Sequence, residues 1–164
     1  MSVRFFVLFS TAVALTGSGC SSGDLKDVFG NEQAMATVKN ATSVKAYRLQ
    51  LGSYYQESLS DYKIADGPVY VSDDIASRLS KILLDASIYE WDSAKLCEPD
   101  YGVRIQFSEG DNTVDVLFCF ECDILAVYHN GRPVGGEDFD DARSRLVSIV
   151  QKLFPNDEII QSLE

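Results

Sequence analysis

Two amphipathic helical stripes and a series of alternating strands point to an α+β domain of two layers, an antiparallel meander packed against helices. One stripe is Ile75, Leu79, Ile82, Leu83 and Ala86; the other is Phe139, Ala142, Leu146, Ile149, Val150 and Leu153. Both recur every three or four residues, the period at which an α-helix returns one face to the core. Between them Val103, Ile105 and Phe107 alternate with polar residues, and Val114, Val116, Phe118 and Phe120 alternate with Asp115, Leu117 and Cys119. A period of two places each set on one face of a strand, so the meander should bury one face.

Taken in chain order, Leu25, Val28 and Phe29, then Ala34, Met35 and Val38, fit a helix from Asp24 to Asn40 interrupted near Gly30-Asn31. Val44 to Leu49 alternates as a strand, and Gly52 to Asp61 is polar and aromatic, as loops are. Asp66-Gly67-Pro68 reads as a turn between short strands at Tyr62–Ile64 and Val69–Val71. Ser72 is placed to accept an unpaired amide, with Asp73 and Asp74 at the positive end of a helix over about 73–87. Ile88 to Trp91 then leads into a loop that carries Cys97, Glu98 and Pro99.

Strands are expected at Val103–Ser108, Thr113–Phe120, Ile124–His129 and Arg132–Val134. Glu109 to Asn112 turns the first pair, and Asn130-Gly131, which tolerates the positive φ of a type I′ turn, closes the last. Gly135-Gly136 reads as a break before a helix with Glu137, Asp138, Asp140 and Asp141 at its start, Lys152 in its last turn and Pro155 as its stop. Asn156-Asp157-Glu158 can cap one more turn bearing Ile159, Ile160 and Leu163.

The first twenty residues have a different build. Arg4, an apolar run from Phe5 to Leu15, and the small residues Thr16-Gly17-Ser18-Gly19 lead to Cys20, as in a secretory signal. That ending resembles the lipobox of bacterial lipoproteins, although Gly17 stands where the family usually has Leu. The resemblance implies a diacylglyceryl group on the Cys20 thiol, further acylation such as palmitate, and Cys20 as the first mature residue. Several chains hold a protein stably to a membrane, whereas one does so marginally. Ser21 after the cysteine resembles outer-membrane lipoproteins, which implies the outer membrane or cell surface before the inner membrane. Ordinary cleavage near Gly19 is the alternative, leaving a secreted or periplasmic protein. The expected division is 1–19 signal peptide, 20–30 lipidated N-terminus and tether around Ser21-Ser22-Gly23, and 31–164 a single α+β domain.

Removing 19 of the 164 residues leaves 145, enough for one core-forming domain. The formal charge is −11, and Arg4 is the leader's only charged residue, so the remainder is more acidic still. Such a field repels phosphate backbones and anionic lipid surfaces, which argues against nucleic acid as a partner. Membrane lipid through the Cys20 acyl chains, and another envelope protein, are the partners this pattern favours.

Beyond Cys20 the chain holds Cys97, Cys119 and Cys122, an odd number of thiols for an oxidising compartment. Cys119 and Cys122 point to opposite faces of an ideal strand and can pair only across a break at Glu121, while Cys97 can join either and close a loop of about two dozen residues, worth roughly 3 kcal/mol. Cys97, Cys119, Cys122 and His129 also form a Cys₃His set of the type zinc accepts, and C-x-x-C is a dithiol motif, although Phe118, Phe120 and Glu121 would blunt its reactivity. Inert buried cysteine is the remaining reading. The run from Cys97-Glu98-Pro99 through Phe118-Cys119-Phe120-Glu121-Cys122 to Leu153-Phe154-Pro155-Asn156-Asp157 resembles a group of uncharacterised bacterial proteins, and that resemblance implies no activity.

His129 is the only histidine and lies beside a hairpin turn, and the chain has no G-x-S-x-G, phosphate-cradling glycine loop or H-E-x-x-H. The acidic cluster at 137–141 lacks calcium-loop spacing. Tyr47, Tyr54 and Tyr55 can line a binding surface or simply pack. The expectation is a non-enzymatic, lipid-anchored envelope protein with a binding role and no cofactor; a zinc- or thiol-dependent activity at Cys97, Cys119, Cys122 and His129 is the rival.

Overall fold

A computed structural model describes residues 24–52, 54–92 and 95–164; Cys20 and the leader lie outside the described residues. The domain is an α+β fold in which one six-stranded sheet carries helices on one face. In chain order the elements are α1 (Leu25–Phe29), α2 (Glu32–Lys39), β1 (Ser43–Leu49), β2 (Ile64–Tyr70) and α3 (Asp73–Leu83). There follow β3 (Val103–Glu109), β4 (Asn112–Cys119), β5 (Ile124–His129), β6 (Arg132–Asp138), α4 (Arg143–Leu153) and α5 (Glu158–Gln161). The strand order is β2-β1-β3-β4-β5-β6, every neighbouring pair antiparallel.

Folded structure starts at Asp24, earlier than the expected boundary at 31. Five residues are too few to hold a helix by themselves. In α1 the Asp24 carboxylate accepts from Lys26 N–H at 2.9 Å, the Asp27 carboxylate reaches back to Asp24 N–H, and Val28 and Phe29 are fully buried. Burying a phenyl ring contributes about 2–3 kcal/mol, enough to offset the cost of one helical turn. Gly30 at φ +76° ends α1, and Asn31 caps α2 through Ala34 N–H at 2.9 Å.

The main core fills the space between sheet and helices. Val44, Ala46, Val103, Ile105, Phe107, Val114, Val116 and Phe118 enter it from the strands, against Leu79, Leu83, Leu146, Ile149 and Val150. Phe118, Phe120 and Phe139 pack around one another with centroids 5.6–5.9 Å apart.

Several expected boundaries move. The segment around Asp66-Gly67-Pro68 is no turn: β2 runs through it, with register shifts against β1 on either side of Arg48, and Pro68 is tolerated because β2 is an edge strand. Helix α3 stops at Leu83, because the Asp85 carboxylate bonds the Ser87 N–H and hydroxyl and diverts the chain into a 3₁₀ turn, Ala86–Ile88. Ala86 is thereby exposed. Ser72 precedes α3 but makes no side-chain cap. Gly135-Gly136 continues β6 instead of breaking it, so Glu137 and Asp138 belong to the strand; Asp140 and Asp141 sit in a short 3₁₀ turn ahead of α4.

The sheet also buries part of its second face. Leu49, Leu59, Tyr62, Tyr101, Leu117, Cys119, Cys122, Ala126 and Tyr128 form a smaller core beneath the loop between β1 and β2 and the segment before β3.

Candidate functional site

The second face divides into a covered half and an open half. In the covered half three phenols converge. Tyr62 meets Tyr101 and Tyr128 edge-on at 6.0 and 6.1 Å, and the Tyr62 and Tyr128 hydroxyls lie 3.2 Å apart. Tyr128 donates to the Gln56 carbonyl, and Gln56 N–H donates to the Tyr62 hydroxyl at 2.9 Å, fixing the loop over the sheet. Burial pushes the phenols of Tyr62, Tyr101 and Tyr128 upward, so all three stay protonated.

Cys97 and Cys122 are joined in a disulfide, with Cα atoms 6.2 Å apart, and Cys119 is a buried free thiol within the second core. The bond joins the segment before β3 to the turn between β4 and β5. Lys95 reinforces that junction by donating to the Cys122 carbonyl at 2.7 Å and to Asp140, with Asp138 at 3.7 Å. Burial disfavours the Lys95 charge, but Asp140 and Asp138 outweigh it and hold the ammonium above its usual range. Burial pushes the Asp138 carboxyl up, against the pull of Lys95.

His129 does not join the cysteines. Cys119 pairs with Ile124 and Val114 pairs with His129, five residues along β5, or roughly 16 Å away at the rise of a strand. Its ring instead faces Asn31 and Asn130. Among the described residues, no three histidine, cysteine or acidic side chains stand close enough to hold a metal ion.

Beside the covered half lies an open groove of about 440 Å³. Tyr55 and Tyr101 wall it on the loop side, Ile124, Ala126 and Gly136 form its floor, and Pro133 stands at the β6 edge. Ala126 and Gly136 are register partners, so a row almost without side chains creates the depression. Tyr55 is 53% exposed, an apolar surface offered to solvent. Tyr54, at 49%, is also exposed, but Tyr47 serves another purpose.

In the open half, Arg104 stacks over the Tyr47 ring at 4.8 Å and donates to Asp115 at 2.8 Å. Gln106 donates to the same carboxylate oxygen at 3.0 Å, leaving Asp115 Oδ2 buried without a partner. Asp115 is only 1% exposed, and burial raises its carboxyl despite Arg104. Sequence reading gave Asp115 a direction but no partner. The two-residue turn at Gly110-Asp111 sets the register Gln106↔Asp115 and Arg104↔Leu117, and that register was the signal available for the pairing.

The fold and site define an α+β meander with a disulfide-tied, tyrosine-rich second face. Comparison of the chain with family models, curated proteins and solved structures returned no match. No helix among the described residues is long and apolar enough to cross a membrane.

Proposed function

We propose that this chain is a lipid-anchored bacterial envelope protein, without catalytic activity of its own, whose α+β domain binds another protein through its second face. The observation that carries this reading is the Cys97–Cys122 disulfide, since such bonds persist in oxidising compartments and are rare in a reducing cytosol. It supports export, which the leader and Cys20 independently favour. The open groove beside exposed Tyr55 supports the binding role.

Anchoring at Cys20 would restrict the domain's position. Only Ser21, Ser22 and Gly23 separate Cys20 from the capping residue of α1, and so few residues span at most about 14 Å when extended. The α1 end of the domain would then face the membrane.

Metabolic labelling with an alkyne analogue of palmitate, followed by fractionation, tests the anchor. The native chain should take up label and sediment with membranes, whereas Cys20→Ala should lose both properties. Failure of the native chain to incorporate label, or identical fractionation of the two forms, overturns the reading.

A further inference from the structure

Cys122 has two cysteines at hand. It is bonded to Cys97, with Cα atoms 6.2 Å apart, and three residues before it stands Cys119, the free cysteine of the described residues. The ladder between β4 and β5 ends at the pair Cys119↔Ile124, so Phe120 to Asp123 form a four-residue hairpin loop, closed by Asp123 at φ +55°. Loops of that length are most often built around a type I turn, whose first and fourth residues have Cα atoms within about 7 Å. Placed on this loop, those two residues are Cys119 and Cys122. A disulfide spans Cα separations of about 4.4–6.8 Å, so the turn brings a second partner for Cys122 into bridging range.

The faces agree with that proximity. On a straight strand Cys119 and Cys122 would point apart, but beyond the ladder the chain turns, and both enter the smaller core. Phe118 and Phe120 lie in the main core, on the opposite side of the sheet, and do not screen the Cys119 thiol as the sequence suggested. Gly102 N–H donates to the Phe118 carbonyl at 3.0 Å, so the segment before β3 runs on beside the end of β4 and brings Tyr101 into the same small core as Cys119. Cys97 lies on that segment. The three cysteines differ in access: Cys119 is fully buried and Cys122 nearly so, whereas Cys97 is exposed.

We infer that Cys119 is the attacking thiol of an internal thiol–disulfide exchange, which moves the crosslink from Cys97–Cys122 to Cys119–Cys122 and releases Cys97 as a surface thiol. Cys119, as thiolate, forms a bond to the Cys122 sulfur. The Cys97–Cys122 bond breaks, its electron pair leaves with Cys97, and Cys97 takes up the proton that Cys119 gave up. One disulfide is lost and one is made, so no outside oxidant or reductant takes part. Because Cys119 is buried, the attack proceeds through local opening of the loop cover. The result is a free thiol carried from the interior to solvent, and a segment before β3 cut loose from the turn between β4 and β5. Neither the anchor nor the binding role enters into this exchange.

The test is thiol trapping on the full chain in mild detergent, without reductant, in excess N-ethylmaleimide for a day at about pH 8, where thiolate is present. Acid quenching, non-reducing digestion and peptide mass mapping then read each cysteine separately, Cys20 included. Maleimide is expected on Cys97, in molecules bridged between Cys119 and Cys122, at least fivefold above maleimide on Cys119. Cys119→Ser should abolish the label on Cys97. Cys97→Ser, altered at an exposed position, should close the Cys119–Cys122 bridge in glutathione disulfide and keep the native amide spectrum of the main core. Label on Cys119 with the Cys97–Cys122 bond intact, no label on either residue, or label on Cys97 that persists in Cys119→Ser would overturn the inference. So would a folded Cys97→Ser chain in which Cys119 and Cys122 fail to bridge.

Discussion

Asp115 is the residue whose environment most opposes its chemistry. Its carboxylate lies in the sheet with Arg104 and Gln106 sharing one oxygen and nothing on the other. Burial is the largest influence and raises its pKa above the ordinary 3.8. A group with a raised folded-state pKa contributes stability that is complete below its unfolded value and is lost as pH rises through the folded value. Asp115→Asn keeps an acceptor for Arg104 and Gln106 but cannot titrate. Urea unfolding at about pH 7 and at about pH 4 should therefore show the native chain gaining on the variant as pH falls; a flat or opposite trend would refute a raised carboxyl. The alternation around Asp115 was legible in the sequence as an outward-pointing position. Its burial was not, because it depends on a neighbouring strand's arginine lying back over Tyr47, a long-range arrangement that periodicity does not encode.

At the scale of elements, α5 depends on one side chain that serves two purposes. Asp157 accepts from Ile160 N–H at 3.0 Å, capping the helix, and from Arg48 Nε at 2.8 Å. Arg48 is 5% exposed and otherwise donates only to the Leu49 and Gly102 carbonyls. Burial tends to raise the Asp157 carboxyl, but the Ile160 amide and Arg48 outweigh it and lower it. Asp157→Ala should cost about 3 kcal/mol in urea unfolding, combining a lost cap with a buried, unpaired guanidinium. A cost below about 1 kcal/mol would show that the cap acts alone. The cap itself was legible from Asn156-Asp157-Glu158, and α1, β3, β4, β5 and the Asn130-Gly131 turn were legible for the same reason: their signals are local. Edge strands β2 and β6 were misread because glycine and proline signal breaks only where backbone donors must pair and space is open. At β6 the glycines are there for clearance. A Cβ on Gly135 would come within 2.2 Å of the Asp27 carbonyl, and one on Gly136 within 2.4 Å of the Leu125 carbonyl.

For the whole molecule, the sheet supports two cores of unequal security. The larger is enclosed by α1 to α5, while the smaller is covered by loops, and loops bring little hydrogen-bonded structure of their own. The disulfide therefore ties down the less secure side. Sequence reading reached the possibility of a Cys97 crosslink but left its partner open, since the choice between Cys119 and Cys122 depends on which one the turn after β4 swings toward the segment before β3. The bond spans a sequence separation of 25, so on the chain-entropy account its loss costs about 3 kcal/mol, or roughly 6–12 °C in Tm for a domain of this size. The effect should be felt first on the tyrosine side. In Cys97→Ser/Cys122→Ser, the thiol of Cys119, fully buried in the native chain and read by peptide mapping apart from Cys20, should react with iodoacetamide at least tenfold faster, because local opening of the loop cover no longer has to work against the crosslink. The main core should keep its amide-exchange protection under the same conditions. Equal alkylation rates in the two proteins would mean that the phenol network of Tyr62, Tyr101 and Tyr128 holds the cover unaided, and the disulfide would then have no part in keeping the groove in shape.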